Sequence, residues 1–129
     1  MNRETLLRCS VFASLTGEEA AQLLNCLDGK YKALGNNCAL SLDADSVAFL
    51  VCGEASVQPP CAAPFSAARG DAVAGRCMLT AKTRCECVVL RRTRLLSLCR
   101  NACACHRRAL MNYALLRVEP PSTAAAPPR

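Results

Sequence analysis

The most informative part of this sequence is an apolar run that a glycine turn separates from a second short run, in the stretch Val47-Ala48-Phe49-Leu50-Val51-Cys52-Gly53-Glu54-Ala55-Ser56-Val57. Runs of this length, rich in β-branched and aromatic residues and bounded by turn residues, are typical of strands. Glycine adopts the backbone conformations that tight turns need. The stretch therefore predicts a β-hairpin with its turn at Gly53.

The same alternation of short apolar runs and turn residues continues on both sides of this predicted hairpin. Strands are predicted at 31–34, 38–42 and 85–90, whereas 73–79 fits either a strand or a helix. Residues 59–64 predict a loop, because proline cannot donate to a strand ladder. Regularly spaced short strands of this kind predict an all-β sandwich or roll.

Helices are predicted before the strands. Residues 4–9 suggest a short helix, and a longer one follows it. Thr16 and Glu19 have the spacing of a capping box, in which the hydroxyl accepts from the amide of Glu19 and the carboxylate reaches back to the amide of Thr16. Asp28-Gly29 then supplies the stop signal.

Two more helices are predicted after the last strand. Thr93 is expected to cap a helix that runs through Cys99, and a second helix is expected from Cys103 to Arg117. Residues 119–129 are rich in Pro and Ala and predict a disordered tail, which leaves a single domain at 1–118. The last helix carries an apolar stripe, formed by Leu110, Met111, Ala114 and Leu115.

Composition restricts the class of protein. The chain has 129 residues, 52% of them hydrophobic but only 4% aromatic, a net charge of +6 and eleven cysteines. An uneven cysteine count and the lack of an uninterrupted apolar leader argue against a secreted disulfide scaffold. The sequence therefore predicts a cytoplasmic protein with no membrane segment, in which reduced cysteines fill the core.

The sequence offers few candidate residues for enzymatic catalysis. The sequence holds one histidine, and neither a Ser–His–Asp arrangement nor a pair of carboxylates in a shared apolar setting can be recognised. We therefore expect a protein that is not an enzyme.

Four stretches together resemble the sensor domain of the catabolite-activator/fumarate-nitrate-regulator (Crp/Fnr) superfamily. They are residues 6–16, 47–57, 69–71 and 85–99, the last followed by Cys105-His106. The resemblance implies a jelly-roll-like, cupin-like double-stranded β-helix, the cyclic nucleotide-binding roll, flanked by N- and C-terminal helices. It also implies a non-catalytic sensor domain in transcription regulation.

The resemblance places the ligand cassette near Gly70 and Asp71. A cassette that binds a cyclic nucleotide needs a short helix whose amides face the phosphate, an acidic residue for the ribose, and an arginine for the charge. Here Val73-Ala74-Gly75 stands where the family has Phe-Gly-Glu. The residues that remain for a degenerate site are Gly70, Asp71, Gly75, Arg76 and Arg84. We therefore expect cyclic nucleotide binding to be lost.

The Pro/Ala tail stands where family members continue into a helix-turn-helix, so direct sequence-specific DNA binding is not expected. The chain would then be a transcription regulator by similarity only. It would act as a homodimer, through a regulatory protein partner, or through an unknown small effector. The apolar stripe of the last helix is the candidate partner surface, although it could equally cover the chain's own roll.

A second interpretation uses the densest group of soft ligands, Cys99, Cys103, Cys105 and His106. Thiolates and an imidazole can hold zinc or an iron–sulfur cluster, or a thiol can act as a redox sensor. The competing interpretation is that these cysteines only fill the core. Outside this alternative no cofactor is predicted.

Overall fold

Two four-stranded antiparallel sheets form the centre of the protein in the computed structural model, which describes residues 7–97 and 104–115. The strands are β1 Lys30–Leu34, β2 Ala39–Leu42, β3 Ser46–Cys52, β4 Glu54–Gln58, β5 Phe65–Ala68, β6 Ala72–Ala74, β7 Cys77–Ala81 and β8 Cys85–Arg91. One sheet has the order β1-β8-β3-β6 and the other β2-β7-β4-β5. The predicted jelly-roll-like fold is confirmed.

A short 3₁₀ turn, Ser10–Phe12, and three helices flank the sheets. The helices are α1 Gly17–Cys26, α2 Arg92–Leu96 and α3 Ala104–Leu115. Among the described residues, no helix is long and apolar enough to cross a membrane.

Strand β3 explains why the two sheets lie where they do. Side chains of successive residues point to opposite faces of a strand, and six of the seven residues of β3 are buried. Val47, Phe49 and Val51 pack on the helix side, whereas Ala48 and Leu50 face the roll interior. The apolar run at 47–52 is therefore continuous because both faces of this strand are covered.

Helix α1 begins at the predicted capping box. The amide of Glu19 donates to Thr16 Oγ1 over 3.1 Å, and the amide of Thr16 donates to Glu19 Oε1 over 2.9 Å. Leu23 and Leu27 of this region are buried against the helix face of the β3 sheet. The capping box thus fixes where the helix starts, and the apolar face fixes how the helix is oriented on the sheet.

Helix α3 is attached to the beginning of the described chain. Asn112 Nδ2 donates to the carbonyl oxygens of Val11 and Ala13 over 2.9 and 3.0 Å. Ala109 is fully buried, and the ring of Tyr113 meets Phe49 edge-on with centroids 6.2 Å apart. These contacts close the helix-side core over β3.

Several predicted elements differ from the observed ones. The segment 73–79 contains the end of β6 and the start of β7, separated by a turn at 75–76, and strand β5 was not predicted. In the segment 4–9 only residues 7–9 are described, and of these only Leu7 is helical.

The predicted capping role of Thr93 is wrong. Helix α2 starts at Arg92, after an N-cap Arg91 whose side chain makes no capping bond. Thr93 lies inside the first turn, where its hydroxyl donates to Asp45 Oδ2 over 2.8 Å. The helix ends at Leu96 rather than at Cys99, because Ser97 has an extended backbone.

The predicted β-hairpin at Gly53 is wrong, because β3 and β4 belong to different sheets and do not pair with each other. The turn at Gly53 instead carries the chain from one sheet to the other.

Gly53 provides a test of this turn. Its φ is +86°, and a Cβ at this position would lie against the carbonyl oxygen of Arg84 and 2.9 Å from Cys85 Cα. Gly53→Ala should therefore lower the free energy of unfolding by about 2–5 kcal/mol, from backbone strain and steric overlap together. Urea denaturation measures the difference.

Gly70→Ala is the matched control. Its φ is +92°, but nothing lies within 4 Å of a Cβ built there. The loss should be about 1–2 kcal/mol, from the backbone conformation alone. Equal losses for the two variants would show that the close approach at Gly53 does not constrain the turn between β3 and β4.

Candidate functional site

The connection between β6 and β7 occupies the place where the family resemblance puts the phosphate-binding helix. It consists of two residues, Gly75 and Arg76. Gly75 has a φ of +93°, and its amide donates to the carbonyl oxygen of Ser46 over 2.9 Å. A helical turn needs about four residues. This connection therefore holds no helix whose amides could face a phosphate.

Gly70 and Asp71 serve the turn between β5 and β6. The amide of Ala68 donates to Asp71 Oδ2 over 2.8 Å, and the amide of Asp71 donates back to the carbonyl oxygen of Ala68. The amide of Gly70 donates to the carbonyl oxygen of Leu50 over 2.9 Å. The carboxylate that the sequence suggests for a ligand is thus used to hold this turn, by accepting from the amide three residues earlier.

Arg84 lies beside a carboxylate and not in the connection that holds Arg76. Its guanidinium lies 3.9 Å from Glu86 Oε2, and 71% of its side chain is exposed. Tyr31 donates to the other oxygen of the same carboxylate over 2.7 Å. This bond raises the pKa of Tyr31 to about 12 and lowers that of Glu86. The five candidate cassette residues are therefore divided among three places.

A groove opens between the edges of the two sheets, where β1 and β2 are the outer strands. Its volume is about 690 Å³, within the usual range for small-molecule sites. Leu40, Leu42 and Val89 form its apolar part. Its cationic side chains are Lys30, Lys32, Arg76 and Arg91. Arg76 is the only predicted site residue that lines it.

One wall of the groove is held by an ion-pair network. Arg91 donates from NH1 to Asp43 Oδ2 over 2.8 Å, and its Nε lies 3.3 Å from Asp45 Oδ2. Ser46 Oγ and the amide of Asp45 both donate to Asp43 Oδ1 over 2.9 Å. The amide of Thr93 donates to Asp45 Oδ1. The turn at 43–45 therefore also anchors the start of α2.

The same network shifts the titration of its members. The Arg91 guanidinium and the Ser46 hydroxyl, in that order, lower the pKa of Asp43 by hydrogen bonding to its charged form. Asp43 in turn raises the pKa of Arg91. Both groups therefore stay charged around neutral pH.

Sequence reasoning missed three of the four cationic groove residues. Lys30 and Lys32 alternate along β1 and so share one face of the strand. This spacing was visible in the sequence, but their position beside Arg76 depends on how the two sheets close. Arg91 was not predicted as a site residue, because its carboxylate partners lie 46 and 48 residues earlier in the chain.

The predicted metal cluster is only partly within the described residues. Cys99 and Cys103 lie outside them, as does the side chain of Cys105. His106 is 3% exposed, and its Nε2 donates to the carbonyl oxygen of Leu95 over 2.9 Å. Its Nδ1 has no hydrogen-bond partner among the residues described. The observed contact of His106 is thus a structural one between α2 and α3.

The described cysteines differ in burial, and Cys52 is half-buried. Cys9, Cys77, Cys85 and Cys87 are buried, as the core-filling interpretation predicts, whereas Cys26, Cys38 and Cys61 are exposed. Burial raises the pKa of Cys9 and Cys87 to about 12, and that of Cys77 to about 11. These three thiols therefore stay protonated at neutral pH, which makes them poor nucleophiles.

The apolar stripe of α3 is only partly covered where its side chains are described. His106 and Ala109 are buried, whereas Leu110 is half-buried and Met111 is 64% exposed. The side chains of Ala114 and Leu115 lie outside the described residues. For Met111, the interpretation that the stripe covers the chain's own roll is wrong.

Comparison with solved structures identifies the fold. A cyclic nucleotide-binding protein from Geobacter metallireducens superposes with a TM-score of 0.59 at 18% identity, over 88% of this chain and 93% of that one. A cyclic nucleotide-binding domain from Methylobacillus flagellatus gives 0.57 at 17% identity, over 86% and 71%.

The sensor domain of the transcriptional regulator DNR from Pseudomonas aeruginosa is also similar, with a TM-score of 0.57 at 12% identity, over 86% of this chain and 88% of that one. No protein-family model and no curated protein sequence matches the chain. The chain thus has the fold of cyclic nucleotide-binding domains, which the sensor domain of this regulator shares, as the sequence predicted.

The Asp43 network predicts an acid-dependent stability. A carboxyl whose folded pKa lies below its unfolded value stabilises the fold above the unfolded value, here near 3.8, and loses this effect as the pH falls through the folded value. Asp43→Asn should therefore lower the midpoint of thermal unfolding at pH 7, and the difference from the unsubstituted protein should disappear in strong acid.

Glu54→Gln is the control, because Glu54 is exposed and its side chain makes no hydrogen bond or ion pair among the described residues. A decrease in the unfolding midpoint of Asp43→Asn that does not depend on pH would contradict the role of the charged network, as would the same pH profile for both variants.

Proposed function

We propose that this chain is a non-catalytic regulatory domain whose cyclic nucleotide site is degenerate, and that it acts through protein contacts or an effector of another class. The observation that carries the proposal is the two-residue connection between β6 and β7. In this fold, nucleotide binding requires amides that face the phosphate, together with an acidic group and an arginine. Here the roll is present, but the segment that would supply those amides is not.

The energetics of anion binding support a lost nucleotide site. A phosphate removed from water must be compensated by hydrogen bonds and opposite charge. Arg76 could offer charge, but Asp71 is engaged with the amide of Ala68, and Arg84 lies beside Glu86. The groups that would read the ribose and the phosphate are therefore not gathered around Arg76.

A regulatory role without catalysis agrees with the nature of the solved relatives, which include a regulator's sensor domain. The single histidine is buried against the carbonyl oxygen of Leu95, where it can shuttle no proton to a substrate. Helices α1 and α3 pack on the helix-side core, and α2 has five residues. The proposal accordingly gives the described helices no role in reading DNA.

The protein contact that we propose is made by α3. Met111 is the most exposed large hydrophobic residue of the described chain, at 64%, and Leu96 of α2 is 48% exposed. Exposed apolar side chains on adjoining helices are typical of contact surfaces, and Met adapts well to a partner. Pairing of two copies through this surface would cover both side chains.

The nucleotide part of the proposal is tested by thermal unfolding with cyclic AMP and cyclic GMP. A ligand at about 100 times its dissociation constant raises the free energy of unfolding by about 2.7 kcal/mol, which is readily seen as a higher midpoint. We expect no rise with either nucleotide at about 1 mM. A rise that disappears in Arg76→Gln would show that the cassette position still binds the phosphate.

The contact surface is tested by the mass of the protein in solution. The unsubstituted chain should form a species of twice its 13.8 kDa mass, and Met111→Asp should shift it to the monomer because a charge would be buried in the contact. Arg107→Asp, at an exposed position of α3, is the control for a changed charge. A folded Met111→Asp variant that keeps the dimer would remove this surface from consideration.

A further inference from the structure

We propose that the groove between β1 and β2 is a binding site for a small organic anion, meaning a molecule with one carboxylate or phosphate group on a compact apolar body. The inference rests on the proposed function, because it gives a chemical class to the effector left open there. Of the residues that the family resemblance suggests for a ligand, only Arg76 is among the described residues that line this groove. The structure adds Lys30 and Lys32.

The first argument is unpaired positive charge. Lys30 and Lys32 lie on one face of β1 and line the groove together with Arg76. All three side chains are exposed, and none makes a hydrogen bond or ion pair with another residue in the part of the chain that is described. Three cations converging on one concavity attract an anion more strongly than the same charges spread over a surface.

The second argument is the balance of charge, because cations outnumber carboxylates at the groove. Asp43 and Asp45 both contact the Arg91 guanidinium, at 2.8 and 3.3 Å. Hydrogen bonding to Arg91 also lowers the pKa of Asp43, so this pairing persists in mild acid. The network keeps one negative charge and Asp28 of the groove lining adds another, so that Lys30, Lys32 and Arg76 together leave an excess of one positive charge for a ligand.

The third argument is the apolar part of the groove. Leu42 is 3% exposed, while Leu40 and Val89 are half-buried and pack against the core of the roll. A ligand body that covers them would remove apolar surface from water, which is worth roughly 25 cal/mol for each Å². The site thus offers both an apolar contact and a charged rim, as ligand sites commonly do.

The lining also limits the kind of ligand. None of the residues that line the groove is aromatic, and Tyr31 lies on the opposite face of β1, bonded to Glu86. Stacking on aromatic side chains is the usual way in which a nucleobase is held without specific hydrogen bonds. A compact aliphatic or alicyclic anion therefore fits this groove better than a nucleotide does.

The experiment uses cyclohexylacetate as the probe and its neutral amide, cyclohexylacetamide, as the matched ligand. Amide chemical shifts of the isotopically labelled full chain are followed during titration to about 10 mM, a range that covers the millimolar affinity of small ligands. We expect cyclohexylacetate to shift resonances of β1 and β2 and to bind at least fivefold more tightly than the amide.

The variants Lys30→Gln and Lys32→Gln should each weaken cyclohexylacetate binding about two- to fivefold, as expected for a partly exposed ion pair. Arg69→Gln removes one charge at an exposed position outside the groove and should leave the affinity unchanged. Unshifted resonances elsewhere in the chain show that each variant is folded.

The outcomes separate this inference from the proposed function. Absence of binding, equal binding of acid and amide, or equal effects of Arg69→Gln and the lysine variants would overturn the groove site and leave the regulatory proposal standing. If cyclic AMP binds more than tenfold more tightly than cyclohexylacetate and displaces it, the degenerate-site proposal fails instead. Binding at β1 and β2 that depends on both lysines supports the inference.

Discussion

The burial of β3 on both faces is the constraint on which the rest of this structure depends. Val47, Phe49 and Val51 are buried by packing on the helix side, whereas Ala48 and Leu50 are buried by packing against the opposite sheet. A strand in this position tolerates no uncompensated charge on either side, because burying an unpaired charge is costly. The helical layer and the roll are therefore coupled through one strand, and loss of either layer would expose half of its apolar surface to water.

Local signals predicted the parts of the fold that are encoded within a few residues. The capping box at Thr16 and Glu19 is such a case, because its interactions join residues close in sequence. The turn at Gly53 was also predicted, but the two strands that it joins belong to different sheets and pair with other strands instead of with each other. Strand β5 was missed because Phe65–Ala68 is short and holds two alanines. The turn at 75–76 was missed because β6 has only three residues, too few to show the alternation of a strand before the turn.

The candidate site was harder to predict than the fold, for a physical reason. A groove forms where two sheet edges meet, so its lining combines residues such as Lys30, Arg76 and Arg91 from distant parts of the chain. Sequence alone indicates which of these side chains are charged, but not which carboxylates engage them. The family resemblance pointed to the β6–β7 region, and the geometry retained Arg76 there while assigning Asp71 to a turn.

The attachment of α3 by Asn112 has a consequence for how the domain assembles. The side-chain amide bonds to the carbonyl oxygens of Val11 and Ala13, which lie 101 and 99 residues earlier in the chain. Contacts of such long sequence separation close a large loop and are favoured only after the intervening strands are ordered. Helix α3 is accordingly expected to dock late in folding. Formation of these two hydrogen bonds, which join the first and the last part of the described chain, would then indicate that the roll is complete.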